Sequence, residues 1–218
     1  MDRAERKQLC PSATPEAKDI NYVVCCLIAS NGKYSGRGKE HIENAEEFQK
    51  SGLRLKTIPS YANGKLKESM SFENINYEEI YNNGNWFDST TYELFTSRFL
   101  FAVFQHPTIN SGSFQGHKGE LVLKSVFYWT MPQKDLDVAE KYWQSIRKSV
   151  LANKIYLDSF WKLSDKRYFH VRPKGTENSY KNAAINPNGG VADKYCYWFN
   201  VEYVSNIINM KEGSGDGI

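Results

Sequence analysis

Apolar and polar positions alternate along this chain with two distinct periods. Tyr22, Val23, Val24, Leu27 and Ile28 make an apolar run that a helix from Pro15 through Ala29 would bury, with Thr14 as N-cap and Asn31-Gly32 as the stop. Leu53 to Ile58 and Lys65 to Phe72 read as two strands, joined across the turn signal Asn63-Gly64. Trp86 to Ser89 leads into a short helix around Tyr92 to Ser97. Phe99 to Phe104 is a continuous apolar run, the mark of a central strand buried on both faces, and Leu121 to Trp129 is its expected neighbour. Val138, Ala139, Tyr142, Trp143, Ile146 and Val150 recur at helical spacing, so Asp135 to Ala152 is expected to be a long amphipathic helix packed on a sheet. A strand Tyr168 to Arg172, an Asn- and Gly-rich connection, an aromatic strand Tyr195 to Phe199 and a last helix complete an α/β pattern. Residues 213–218 read as a flexible tail.

Composition narrows the class. A chain of 218 residues is long enough for one sizeable core or for one domain with two lobes. No stretch approaches the roughly 20 apolar residues of a membrane span, which leads to the expectation of a soluble intracellular protein without membrane contact. Cys10, Cys25, Cys26 and Cys196 have neither Cys-x-x-Cys spacing nor clustering with His41, His106, His117 or His170, so no metal site is expected. His106, His117 and His170 read as structural or solvent-facing.

Charge matters by its distribution. The net charge is only +3. Between Lys162 and Lys194, however, seven basic residues face three acids (Asp165, Glu177 and Asp193). A local excess of this kind raises phosphate affinity even in a nearly neutral protein. The basic, glycine-rich stretch 31–40 serves equally well as a plain linker or as a phosphate contact. On the strand from Leu53, alternation puts Arg54 and Lys56 on one face and Leu53, Leu55 and Thr57 on the other. Two cations on one face repel a divalent metal and attract phosphate. After Arg172, Pro173 fixes an extended turn that projects Arg172 and Lys174, and Gly175 permits close backbone approach. Arg and Lys suit guanine edges, and Asn178, Asn182, Asn186 and Asn188 are of the type that reads adenine. Lys181 is a candidate phosphate contact. The Gly189-Gly190 pair makes this connection an expected disordered loop that orders on binding.

Three segments together resemble the MutH mismatch-repair and type II restriction endonuclease family. They are Gly52 to Pro59 followed by Asn63-Gly64-Lys65-Leu66-Lys67-Glu68, then Tyr168 to Gly175 with Val171-Arg172-Pro173-Lys174 at its centre, and lastly Tyr195 to Phe199 running into Glu202 to Ile208. The family places a metal-binding glutamate where this chain has Arg54, one spacer before a lysine, here Lys56. Its aspartate seven residues upstream falls on Glu47, and a helix glutamate falls near Cys26. Trp198 falls near a family recognition tyrosine, although an aromatic in a terminal strand is also ordinary core.

The resemblance implies a MutH-like α/β fold spanning residues 1–218, with a mixed central sheet flanked by helices and two lobes around a DNA-binding cleft. A charge shift near residue 160 is the expected joint between the lobes. The likeness is greatest to the C-terminal, non-catalytic domain of GATC-specific staphylococcal enzymes, which implies a DNA-binding effector domain with vestigial catalytic positions Glu47, Arg54 and Lys56. DNA contacts are then expected from Arg172, Lys174, Gly175, Lys181, Lys56 and Arg54. The expected partners are GATC duplex DNA and a catalytic N-terminal domain of the same enzyme, with dimerisation on DNA, in a bacterial cytoplasm. No cofactor is expected for this domain, and Mg²⁺ is expected for the full-length enzyme. The alternative is an active Mg²⁺-dependent nuclease with carboxylates from Glu47, helped by Glu43 or Glu46, and from Glu68 beside Lys56. A scaffolding or dimerisation domain is the reading from a different class.

Overall fold

The computed structural model describes residues 50–113 and 121–213. The expected first helix, the 31–40 stretch, Glu43, Glu46, Glu47, His41, His117 and the first three cysteines lie outside the described residues. The chain divides into two compact units. One comprises Met1–Lys67, Arg98–Thr130 and Asn209–Ile218, and the other Glu68–Ser97 and Met131–Ile208. The divisions therefore fall near residues 67, 97, 130 and 208, none of them near the charge shift at residue 160.

In the first unit, β1 (Leu53–Ser60) pairs in parallel with β3 (Arg98–Gln105), and β3 pairs antiparallel with β4 (Val122–Trp129). Parallel neighbours need a long crossover, and residues 61–97 supply it, carrying the chain through the other unit before it returns. The central position of β3 explains its continuous apolar run, since Phe99 to Phe104 are all buried. Phe101 stacks on Trp129 with ring centres 5.6 Å apart and meets Phe127 edge-on at 5.5 Å. Full burial of such side chains stabilises the fold by about 1.5–3 kcal/mol each.

The Asn63-Gly64 turn forms as expected. Tyr61 N–H donates to the Lys65 carbonyl at 2.9 Å, the Asn63 side chain accepts from Lys65 N–H at 3.1 Å, and Gly64 adopts φ +78°. The hairpin stops there, with a single bridge between Ser60 and Leu66. The second strand, β2 (Met70–Asn74), instead pairs antiparallel with β8 (Cys196–Phe199) in the other unit. The expected Lys65 to Phe72 hairpin arm is corrected accordingly. Its apolar residue Phe72 finds a closer packing partner in Phe199, at 4.3 Å between ring centres, than a two-stranded ribbon would offer.

The second unit is therefore built on its own antiparallel sheet, in the order β2, β8, β5 (Phe169–Arg172). The expectation of one mixed central sheet holds for the first unit, and this second sheet is additional to it. Before it come α1 (Tyr77–Asn82), the 3-10 turn Trp86–Asp88 and α2 (Thr90–Thr96), capped by the Ser89 hydroxyl. The long helix α3 (Gln133–Leu151) buries Ala139, Tyr142, Trp143, Ile146 and Val150, the stripe read from the sequence. One sheet face packs on it, with Tyr142 5.5 Å from Phe169 and its hydroxyl donating to the His170 carbonyl at 2.7 Å. Phe95, Phe169 and Phe199 fill the same layer.

The last helix, α5 (Val201–Gly213), contains Gly213, which was expected in the tail, and the remaining tail residues lie outside the described ones. Within α5, Tyr203 donates to the buried carboxylate of Asp135 at 2.8 Å. Among the described residues, no helix is long and apolar enough to cross a membrane.

Candidate nucleic-acid interface

The expected cationic strand face has a more guarded setting than alternation alone suggests. Arg54 and Lys56 share their face of β1 with Ile58 and Ser60, which are buried, while Leu55 is buried on the opposite face. Both cations are half-buried and engaged within the fold rather than held free. They belong to the first unit, whereas Arg172, Lys174, Gly175 and Lys181 belong to the second. Glu68 lies exposed in the bend before β2, not on a strand beside β1, and it falls in the second unit. Among the described residues, no group of three His, Cys, Asp or Glu side chains is placed to hold a metal ion.

The second unit assembles its candidate site on the sheet face turned away from α3. In the β5–β8 register, His170 lies opposite Trp198 and Arg172 opposite Cys196. The His170 and Trp198 rings stack at 6.1 Å with 21° between their planes. The Arg172 guanidinium also lies over the Trp198 ring, 4.6 Å from the ring centre. Trp198 Nε1 also donates to the Arg172 carbonyl at 3.0 Å. Arg172 is therefore a cation held at the end of a buried strand by a π surface and by a backbone tether, with its own residue exposed. Trp198 is 7% exposed, so it is core in position while serving as a pedestal for the arginine.

His170 lies beneath this pair, fully buried, and neither ring nitrogen has a hydrogen-bond partner. Burial, reinforced by the nearby Arg172 charge, lowers its pKa to about 4, so it is neutral at pH 7. His106 is also fully buried, and its Nδ1 accepts backbone N–H groups of Thr108 and Ile109, at 3.2 and 2.9 Å. Both histidines among the described residues are buried.

Two lysines extend the positive charge of Arg172. Burial raises the Cys196 thiol pKa, while the charges of Lys174 and Lys194 pull it back down, which puts both ammonium groups in the electrostatic neighbourhood of Cys196. In the sequence Lys194 is one of the seven basic residues from Lys162 to Lys194, and Asp193 immediately precedes it. Cys196 itself donates to Asn74 Oδ1 at 3.1 Å.

The connection expected to lack order carries structure. It contains the short helix α4 (Glu177–Tyr180) and a hairpin of β6 (Ala184–Ile185) and β7 (Val191–Ala192). The Gly-rich tip stays ordered because its asparagines are tied down. Asn188 Nδ2 donates to the Val150 carbonyl at the end of α3 at 2.8 Å, and Asn186 Nδ2 donates to Asn153 Oδ1 at 3.0 Å. These two amides therefore hold the hairpin in place and are spent as adenine readers. Gly175 adopts φ +94°, a backbone conformation that other residues rarely take, and an added Cβ would also displace Ser179 Oγ, which would lie 2.6 Å away. Lys181 is exposed but paired with Glu177 at 3.3 Å, which offsets part of the charge expected to meet phosphate.

No protein-family model matches the chain. Over 206 residues, covering 84% of the chain, it is 26% identical to the type II restriction enzyme Sau3AI of Staphylococcus aureus. The chain spans only 39% of that enzyme's length. Across most of its length, and not only in the strand from Leu53 and the Val171-Arg172-Pro173-Lys174 turn, the chain is thus similar to part of a type II restriction endonuclease.

Proposed function

We propose that the chain is a catalytically silent, double-stranded DNA-binding module of a type II restriction endonuclease, with a MutH-like fold and GATC as its site. The observation that carries the reading is Arg172 preorganised on Trp198, with exposed Lys174 two residues beyond it. A guanidinium whose backbone is already fixed loses less entropy on pairing with a guanine edge or a phosphate. Arg172 and Lys174 are the proposed base or phosphate contacts and Gly175 shapes their turn. Lys181 contributes more weakly, and Arg54 and Lys56 offer phosphate contacts on the first unit.

The silent character rests on Arg54 standing where the resembled family has a metal-binding carboxylate. A guanidinium cannot lose its proton to relieve repulsion from a divalent cation, so positions 54 and 56 do not fit Mg²⁺. Cleavage is assigned to a separate N-terminal catalytic domain of the same enzyme, where Mg²⁺ would act. In the cytoplasm of a bacterium, binding of GATC DNA here would favour the cleavage-competent arrangement to the extent that DNA binds that arrangement more tightly. Dimerisation on DNA is part of the same proposal.

The test is binding of a labelled GATC duplex and a scrambled duplex over a salt series, with and without Mg²⁺, checking each sample for cleavage. Selective, salt-sensitive binding of uncut DNA is expected. Mg²⁺-dependent cutting by the chain alone would point to the rearranged nuclease, and a chain that binds no duplex at low salt would leave scaffolding as the better account.

A further inference from the structure

We infer that Asn178 is a specificity-determining residue that reads adenine through the major-groove edge of the base. This rests on the DNA-binding reading above and adds an adenine reader beside the guanine-suited Arg172 and Lys174. Four asparagines lie between the Arg172-Pro173-Lys174 turn and Lys194, and three of them have a structural reason to be asparagine. Asn182 takes φ +49°, a left-handed conformation that asparagine tolerates better than most residues. The Asn186 side chain accepts Asn188 N–H at 3.0 Å and donates to Asn153, and the Asn188 side chain donates to the Val150 carbonyl. Asn178 has no such reason. It lies within α4, where asparagine is a mediocre helix former, it is exposed, and its side chain makes no hydrogen bond among the described residues.

The helix that carries Asn178 is folded back onto the turn that carries the cations. Ser179, its neighbour, donates from Oγ to the Thr176 carbonyl at 2.7 Å and lies directly against Gly175. The far end of α4 is tied by Lys194 N–H to the Tyr180 carbonyl at 2.8 Å and by the Tyr180 ring beside Tyr195, with ring centres 6.4 Å apart. Asn178 is thus held from both sides, one short turn of chain beyond Lys174. Glu177, the acid beside it, is paired with Lys181 at 3.3 Å, which offsets its repulsion of phosphate.

Hydrogen-bonding chemistry identifies the base. A primary amide places an acceptor oxygen beside a donor NH₂ group, and adenine displays the complement in the major groove, a donor at N6 beside an acceptor at N7. Guanine displays two acceptors there, which suit a guanidinium or an ammonium group. The two bases are neighbours in GATC. A cation and a free amide carried on one turn therefore match two successive base edges.

The deciding experiment measures binding of this chain to a GATC duplex, to the same duplex with 7-deazaadenine at the site adenines, which removes the N7 acceptor but keeps base pairing, and to one with 7-deazaguanine at the site guanines. Loss of one hydrogen bond corresponds to about a fivefold affinity change, so the wild-type chain is expected to bind the 7-deazaadenine duplex about fivefold more weakly per adenine contacted. Asn178→Ala and Asn178→Asp, altered only at an exposed side chain, are expected to bind the natural and 7-deazaadenine duplexes equally. Both variants are expected to respond to 7-deazaguanine as the wild type does and to keep its unfolding midpoint. Asn182→Gly, which removes an amide while allowing the same left-handed backbone, is expected to discriminate as the wild type does. Equal wild-type affinity for the natural and 7-deazaadenine duplexes overturns the inference while leaving DNA binding intact. So does adenine discrimination that persists in both Asn178 variants, or a response to 7-deazaguanine that is lost along with it, which would make Asn178 a support of the turn rather than a reader. Failure of the wild-type chain to bind any duplex at low salt removes the underlying DNA reading and the inference with it.

Discussion

Trp198→Phe is the sharpest test of the pedestal beneath Arg172. Phenylalanine keeps an aromatic ring against His170 but deletes the Nε1 donor, which lies 3.0 Å from the Arg172 carbonyl oxygen. It also shrinks the π surface beneath a guanidinium 4.6 Å away. The lost hydrogen bond costs about 1 kcal/mol. The weakened cation–π contact at an exposed cation costs about 0.5 kcal/mol more. The combined loss of about 1.5 kcal/mol corresponds to roughly a tenfold ceiling on weaker DNA binding, if all of it appears as freedom of Arg172 that binding must remove again. The assay is a double-mutant cycle by fluorescence anisotropy, with Trp198→Phe made in wild-type and Arg172→Ala backgrounds and stability followed by urea unfolding. The expected result is a threefold to tenfold weakening (about 0.7–1.4 kcal/mol) in the wild-type background and almost none once Arg172 is gone. Equal weakening in both backgrounds, a coupling below about 0.3 kcal/mol, would refute the reasoning and make Trp198 ordinary core.

Other consequences are equally open to measurement. His170 is neutral in the fold, with its pKa lowered to about 4 from an ordinary 6.5. The unfolded chain takes up a proton there that the folded chain refuses, so stability should fall as pH drops from about 6.5 towards 4, by roughly 2 kcal/mol after allowance for solvent screening. Urea midpoints at pH 7 and pH 5 should show the slope, and His170→Phe should remove it; the same slope in that variant would assign it to other groups. Lys174→Ala and Lys194→Ala should each reduce the salt dependence of DNA binding by about one phosphate contact, whereas Lys181→Ala, already paired with Glu177, should change it less. Gly175→Ala should destabilise by about 1 kcal/mol or more, because it combines a left-handed φ with a contact to Ser179, and thermal unfolding of the variant would register it. Tyr203→Phe leaves the buried Asp135 carboxylate without its 2.8 Å donor and should cost about 1–3 kcal/mol in urea unfolding.

The sequence by itself determined the elements whose signals are local. The unbroken run from Phe99 to Phe104 required a strand covered on both faces, and β3 lies at the centre of its sheet. The stripe through Tyr142, Trp143 and Ile146 fixed both the existence of α3 and the face it buries. The Asn63-Gly64 turn and the short capped helix after Ser89 were legible for the same reason, since a turn or a cap is a contract among neighbouring residues. The exposure of Arg172 and Lys174 beyond the buried strand was also legible, because Pro173 restricts its own neighbours.

Only the tertiary structure decided who meets whom. Alternation tells a strand which side chains share a face but not which strand will lie beside it, so the turn at Gly64 suggested a local hairpin that packing against Phe199 overrode. The same long-range register between β5 and β8 put Trp198 under Arg172, and sequence spacing does not encode it. The asparagines of the hairpin tip had the chemistry to read bases, yet the end of α3 lay within hydrogen-bonding reach and claimed two of them. Residue type sets what a side chain can bond to, and the fold sets which partner arrives first.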